Sequence, residues 1–462
     1  IPSTTERVAQ SAYAAELFKI AGPLFKELAA DGNPPELVSK GLAGAAWCLF
    51  QTGDYETADQ AFGKFLDAFP NDPRAAEAAL ARCQAIEHES NNVAAATAYR
   101  QAIKRYPQCK QMPQLLLGAA KLYDRLQRPE DSASLYQKLV ADYPNSPDAD
   151  SALYSWGWSL RDLGRGADAD RVFQLLYDNY PKSRFWADSA FRLAERASQQ
   201  SNPEIADALL KELVNRDCPA PVLQHALYLQ GQNAINAEHW SAAEAPLSRL
   251  VREFPEGSLH LAAEFWLAEI AYRSSDYTLA SERFERLAPR TTDHMESWSG
   301  IVPLRRAQIL AQKKRWAEAR ILAESIAHDF PQFPQQYEAD FLIGRCLAAE
   351  HDYDGARAAY AKVIHSSAGG KTEMAAMAQW MIGETYFNQN DFATALRDYL
   401  RVEVVYSYPR WQAAALLQAA KCYQQLGQPQ EAAELYAKVL QSYPQTEFVA
   451  EASQRLIETA RK

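Results

Sequence analysis

An all-α solenoid, a superhelix of about twelve antiparallel helix pairs, is the fold this sequence predicts, and three observations predict it. First, a small residue recurs at Ala21, Ala58, Ala95, Ser132, Ala169, Ala206, Ala243, Ala280, Ala319, Ala356, Ala395 and Ala432, with nine intervals of 37 residues and two of 39. Second, another small residue stands twelve positions before each, as in Ala46, Cys83 and Gly157, and a bulky one follows four positions after, as in Phe62, Tyr99 and Phe173. Third, many units end in an aromatic residue and a proline. Self-similarity at such a period means that each unit is one supersecondary element that buries its apolar face by stacking on its neighbours.

The elements follow in order within the unit. Let the two small residues occupy the eighth and twentieth places. They lie on two helices that can approach closely at their crossing, while the bulky residue at the twenty-fourth place fills the space beside it; Ala323 is the one clear departure. Gly53, Gly164 and Gly427 separate the two apolar periodic runs and read as tight turns between antiparallel helices. The second helix stops at Phe69-Pro70, Tyr106-Pro107, Tyr143-Pro144, Tyr180-Pro181, Phe254-Pro255, Phe330-Pro331 and Tyr443-Pro444, because proline cannot continue a helix and restricts the residue before it. Asn71, Ser146, Ser183 and Thr446 follow closely and are expected to cap the next helix. The 39-residue intervals bracket residues 289–303 and 365–374, where bending is expected to concentrate.

These residues resemble the tetratricopeptide repeat, whose consensus has small residues at its eighth and twentieth places, aromatics near the seventeenth and twenty-fourth, and proline at the thirty-second. Tyr55, Trp240, Tyr277, Trp316, Tyr353 and Phe392 hold the seventeenth place here, and Trp156-Gly157 reproduces the seventh and eighth. The resemblance spans almost the whole chain. It implies residues 1–38 as a degenerate N-terminal repeat or cap, repeats over 39–299, further repeats over 300–444 after a longer joint, and a capping helix over 445–462. The three extra residues per unit and the Tyr-Pro-x-Ser junctions are similar to repeats of bacterial envelope proteins, of the outer-membrane-assembly lipoprotein and Tol-associated cell-division coordinator type. That likeness implies a periplasmic or envelope-associated protein, with a cytoplasmic location as the alternative.

Composition bounds the function. At 48% apolar and 23% charged, the 462 residues can bury a long continuous core. A formal net charge of −10 disfavours nucleic acid, whose binding depends on cationic side chains releasing counterions. No stretch approaches the ~20 apolar residues of a spanning helix, and the N-terminus lacks the regions of a signal peptide. The chain begins with Ile rather than Met, which fits a mature form or an excerpt. Of the six cysteines, Cys48, Cys346 and Cys422 share the tenth place of first helices and Cys83 sits at an eighth; these are packing positions, and no disulfide framework is expected.

Catalytic motifs are weak. Gly369-Gly370-Lys371-Thr372 imitates the tail of a phosphate-binding loop, but that loop needs glycine where His365 stands. Histidines are scattered, and no pair has a helical metal-ligand spacing. No catalytic residue, metal or cofactor is therefore expected.

Candidate binding residues come from the resemblance, which implies that first helices line the concave side with their second, fifth, ninth, twelfth and thirteenth places. Those places hold Trp47, Lys121, Tyr154, Trp158, Arg161, Glu195, Tyr228, Arg345 and Trp380, and also Phe265, Glu269, Tyr272, Glu384 and Lys421. Rings alternate with mixed charges, a surface suited to an extended or helical polypeptide. At the fifth place, packing competes with binding, since Leu80, Leu117, Leu304 and Leu417 occur there in other units. The family's clamp for a C-terminal carboxylate is absent: Ala43 with Trp47, Leu80 with Gln84 and Leu117 with Lys121 stand at its places. The leading expectation is a non-catalytic interaction scaffold for a protein or peptide partner, in a bacterial envelope complex. The alternative is the repeat portion of a larger chain that carries a membrane anchor, a motor contact or an enzyme domain elsewhere.

Overall fold

Steric demands at three places in the repeat generate the architecture. A computed structural model describes residues 2–291 and 298–460, and among these residues there are 25 helices and no strands. The helices pair as the period demands: Pro35–Gln51 with Tyr55–Ala68, Ala75–His88 with Asn92–Arg105, and so on to Pro409–Gln425 with Pro429–Ser442, followed by Val449–Ala460. From Pro2–Ala14 to Pro203–Asn215, and again from Trp240–Glu253 to Val449–Ala460, consecutive helices pack on one another, and first helices of adjacent pairs touch more lightly. This is an α-solenoid. The chain forms two compact units, Ile1–Asn233 and Ala234–Lys462.

Burial explains the period. Every residue of the twentieth-place series is buried, from Ala21 to Ala432, and so is every twenty-fourth-place residue, including the small Ala323. Where an eighth-place glycine faces a ring, the ring uses the room: a Cβ on Gly157 would lie 2.5 Å from Phe173, on Gly344 2.5 Å from Tyr360, and on Gly383 2.6 Å from Tyr399.

The turn inside each pair is uniform although its sequence is not. One residue adopts positive φ in all twelve: Gly53, Gly164 and Gly427 as the sequence suggests, but also Ser90, Gln127, Ser275, His351 and other non-glycine residues, with φ near 60°. Around Gly53 the amide of Gly53 donates to the Phe50 carbonyl and that of Asp54 to the Leu49 carbonyl, the hydrogen-bond pair of a Schellman ending. The residue after the left-handed one then serves as N-cap of the second helix: the Asp54, Asn91, Asp352 and Asp391 side chains each accept an amide three residues on.

The aromatic residue before each junction proline leaves helical space, with φ between −135° and −124°. The capping expectation there needs correction. Ser146 and Ser183 accept the amides of Asp148 and Phe185, inside the turn, and neither caps the following helix. Two residues of tight turn intervene, so the hydroxyl is spent before the helix begins.

The two longer intervals fare differently. Residues 292–297 of the first lie outside the described residues. The second is a compact turn rather than a loose insertion: Gly370 N donates to Ser366 O, Thr372 Oγ1 to Gly369 O, and the Tyr408 hydroxyl to Lys371 O. Gly369 lies so close to Tyr337 that a Cβ would sit 2.6 Å from it.

Candidate partner-binding wall

First helices of the first unit present their free faces in series, and three clefts open along them. One of about 480 Å³ is lined by Gln10, Tyr13, Lys40, Trp47, Gln51 and Glu77 among others. A second of about 740 Å³ shares Trp47 and Glu77 and continues over Gln84, Glu87, Gln114, Lys121, Arg125 and Asp148. A third of about 670 Å³ is lined by Asp124, Gln127, Tyr154, Ser155, Trp158 and Asp162.

The rings are set by the core beneath them. Trp47 stands edge-on to Phe62 at 5.3 Å and to Phe50 at 5.8 Å, half-buried, so one side rests on the twenty-fourth-place ring while the other walls the cleft. Trp158 does the same over Phe173, at 6.2 Å. Its indole also carries two guanidinium groups, Arg161 at 5.5 Å and Arg192 at 5.1 Å, within cation–π range. Tyr154 stacks on Phe185 at 4.5 Å and donates its hydroxyl to Asp188 at 2.6 Å. Burial, then this carboxylate, push its phenol up to about 12, so it remains a donor at neutral pH.

Polar groups on the wall divide into two kinds. Glu87 is engaged by Arg125 at 2.7 Å, Lys40 by Glu6 at 2.8 Å, and Asp124 by the Tyr136 hydroxyl at 2.7 Å. Glu77, Gln84, Gln114, Lys121 and Asp162 have no side-chain hydrogen bond or ion pair within the described residues. Nor does the Asp148 carboxylate.

Four candidate residues therefore gather on the clefts: Trp47, Lys121, Tyr154 and Trp158. Arg161 joins them through the Trp158 ring. Glu195 pairs with Arg192 at 3.3 Å on the next first helix, and Tyr228 is half-buried on the one after. Arg345 and Trp380 belong to the second unit. Arg345 is exposed, whereas Trp380 packs beside Trp411 at 5.7 Å and Tyr399 at 6.4 Å, its buried indole N–H without a hydrogen-bond partner among the described residues.

Phe265 and Glu269 require correction as wall residues, since both are buried, at 1% and 3% exposure. Arg305 of the following first helix folds over Glu269 with bonds of 2.9 and 3.0 Å, and Arg273 adds a third of 2.9 Å, so this carboxylate has no free face for a partner. Sequence reasoning missed Glu77, Gln84, Gln114, Arg125 and Asp162. Their signal was available, because they occupy the second, ninth and thirteenth places.

Among the described residues no group of His, Cys, Asp and Glu is disposed to hold a metal ion, and no helix is long and apolar enough to cross a membrane. The four buried cysteines have thiols that burial pushes up, to about 11 for Cys48 and Cys346 and about 12 for Cys83 and Cys422, which leaves them unreactive packing groups.

Family models match most of the chain: a tetratricopeptide repeat-like domain over residues 222–377, and tetratricopeptide repeats over 44–108, 117–184 and 414–446. Among solved structures the chain is similar to one in the APC/C hetero-tetramer Cut9–Hcn1, with 15% identity, 99% of this chain and 90% of that chain covered, and a TM-score of 0.40. It is also similar to a tetratricopeptide repeat protein from Parabacteroides merdae, with 15% identity, 58% and 99% covered, and a TM-score of 0.36. A third is the C-terminal part of a repeat-containing protein from Cytophaga hutchinsonii, with 14% identity, 56% and 98% covered, and a TM-score of 0.44. No curated protein sequence matches this one.

Proposed function

This chain belongs to the tetratricopeptide-repeat family, whose repeats generally mediate protein–protein interaction, and from that premise we propose that it is a non-catalytic scaffold gripping an extended polypeptide along the first-helix wall of its first unit. One observation carries the reading. The clefts over Trp47 and Trp158 combine half-exposed indole faces with polar groups that have no internal partner. Rigid rings offer large contact area at small entropic cost, and unpaired amides and carboxylates are ready to fix register. Three carboxylates without an ion pair among the described residues, on Glu77, Asp148 and Asp162, face two such cations, Lys121 and Arg161, so the wall favours a segment with more basic than acidic side chains.

The test uses synthetic twelve-residue peptides with aromatic and lysine residues, against acidic counterparts. Binding should prefer the basic set, and replacing Trp47 and Trp158 together with alanine should cost about 2 kcal/mol or more of binding with helicity retained. Equal binding by the double variant would move the site elsewhere. Hydrolase and nucleotide-binding screens should stay silent. We place the scaffold in a bacterial envelope complex on the likeness of its 37-residue spacing and Tyr-Pro-x-Ser junctions to envelope repeats. Cell fractionation checks this, and recovery wholly in the cytoplasm would reject it.

A further inference from the structure

In the second unit, a cavity of about 220 Å³ opens between the helices Trp240–Glu253, His260–Arg273 and Tyr277–Thr291. Arg252, Arg283 and Arg286 line it together with Ser248 and Glu264. Three guanidinium groups around one small cavity are unexpected in a chain of net charge −10.

The three arginines differ in how far their charge is already met. Arg283 donates Nη1 to the Leu267 carbonyl at 2.6 Å, which fixes its head, while its nearest carboxylate, Glu244, stands 3.6 Å from Nη2. Arg286, one turn further along the same helix, is exposed and has no ion pair among the described residues. Arg252 comes from the preceding repeat and is 72% exposed; its contact is Glu253 at 3.3 Å, a carboxylate that Arg249 already holds at 3.0 Å. Glu264 is the one acid in the lining, and Arg290 binds it at 2.5 Å, which offsets its charge. Val251 and Leu267 supply apolar wall, where water screens less.

We propose that this cavity is an anion site for a phosphate-class oxyanion, either free phosphate or the phosphomonoester headgroup of a lipid. Planar guanidinium forks match tetrahedral oxyanions with paired N–H donors, and the Ser248 hydroxyl adds a further donor. The site is independent of the polypeptide wall, so either can fail without the other.

The experiment titrates the full chain with inorganic phosphate at low ionic strength, with sodium chloride at matched ionic strength as control, followed by calorimetry. A second arm measures retention on phosphatidylcholine vesicles with and without phosphatidic acid. Arg252→Ala and Arg286→Ala, both at exposed side chains, should each weaken phosphate binding about tenfold with the helical circular dichroism unchanged. Arg286→Lys should recover part of the loss, because it restores charge without the fork. Vesicle retention that free phosphate competes away identifies the headgroup as the source; phosphate binding without retention identifies the free ion. Silence in both arms overturns the site. So does binding that survives both substitutions, or retention that phosphate does not compete.

Discussion

Twelve left-handed residues, nine of them not glycine, show how the repeat overrides its own local chemistry. Gln127 holds φ 57° in a turn where Gly164 holds 71°, and no atom would crowd a Cβ on Gly164, so the difference is purely one of backbone preference. A non-glycine residue there costs about 1–2 kcal/mol, offset by the ~0.5–1 kcal/mol of extra chain entropy that glycine loses on folding. Gln127→Gly should therefore raise stability by about 0.5–1 kcal/mol in a urea titration, and Gly164→Ala should lower it; the opposite signs would refute this account of the turn. Only the three glycine turns were legible as turns from their own residues. The other nine follow from helix packing on either side, which no local signal announces. Small residues at the crossing were fully legible, and their penalty is testable: Gly157→Ala should cost about 1–3 kcal/mol by driving a methyl group into the Phe173 ring. Phe173 itself is wholly buried, and its replacement by alanine should cost about 3–5 kcal/mol. Trp47 and Trp158 keep an open face, so their truncation should cost less stability than that of Phe173, and more binding.

At the scale of helices and their junctions, the strongest polar feature is a turn. Asp72 lies between two helix pairs and receives Arg74 Nε at 2.9 Å, Arg74 Nη2 at 2.7 Å and the Ser39 hydroxyl of the preceding first helix. The Arg74 hydrogen bond, first among the causes, holds the Asp72 carboxyl well below the usual carboxylate range. Because the folded value lies below the unfolded ~3.9, the stabilisation is complete above that pH and is lost progressively as pH falls below it. Asp72→Asn should flatten the fall in stability below about pH 4 and lower stability at neutral pH; an unchanged acid limb would remove Asp72 from the ledger. Junctions such as this were half legible. The aromatic–proline pairs marked where second helices stop, but which hydroxyl reaches which carboxylate depends on residues 33 positions apart, as with Ser39 and Asp72 or Ser183 and Asp150. The same separation hid the burial of Glu269, which Arg305 covers from 36 positions away. Periodicity assigns a place to each side chain. It does not say which neighbour one repeat along will reach back and claim it.

Across the whole chain, one place in the repeat couples stability to alkaline pH. Tyr99, Tyr136, Tyr360, Tyr399 and Tyr436 all occupy the twenty-fourth place, two in the first unit and three in the second, and each is at most 2% exposed. Hydroxyls of this place reach the first helix of their own pair: Tyr136 donates to Asp124 at 2.7 Å, Tyr399 to Glu384 at 2.6 Å and Tyr436 to Gln424 at 3.0 Å, while that of Tyr360 is buried without a partner among the described residues. Burial, the leading cause in every case, pushes all five phenols up, to about 12 for Tyr436, and nearby carboxylates push Tyr99, Tyr136 and Tyr399 further. A phenol whose folded value exceeds the unfolded ~10 keeps its full stabilising contribution below pH 10 and loses it as pH rises toward the folded value. Each such tyrosine contributes a slope of about 1.4 kcal/mol per pH unit in that window, so the two of the first unit and the three of the second each approach the stability of a typical domain within about two pH units. We expect tyrosinate absorbance from these residues to appear together with loss of helical circular dichroism, in a steep transition above pH 10. Tyr399→Phe should make that transition shallower while leaving the neutral-pH fold intact. Ionisation of all the tyrosines near pH 10 with helicity preserved would mean that the rings are reached by water in the folded chain, and that the twenty-fourth place is not the sealed centre of the repeat.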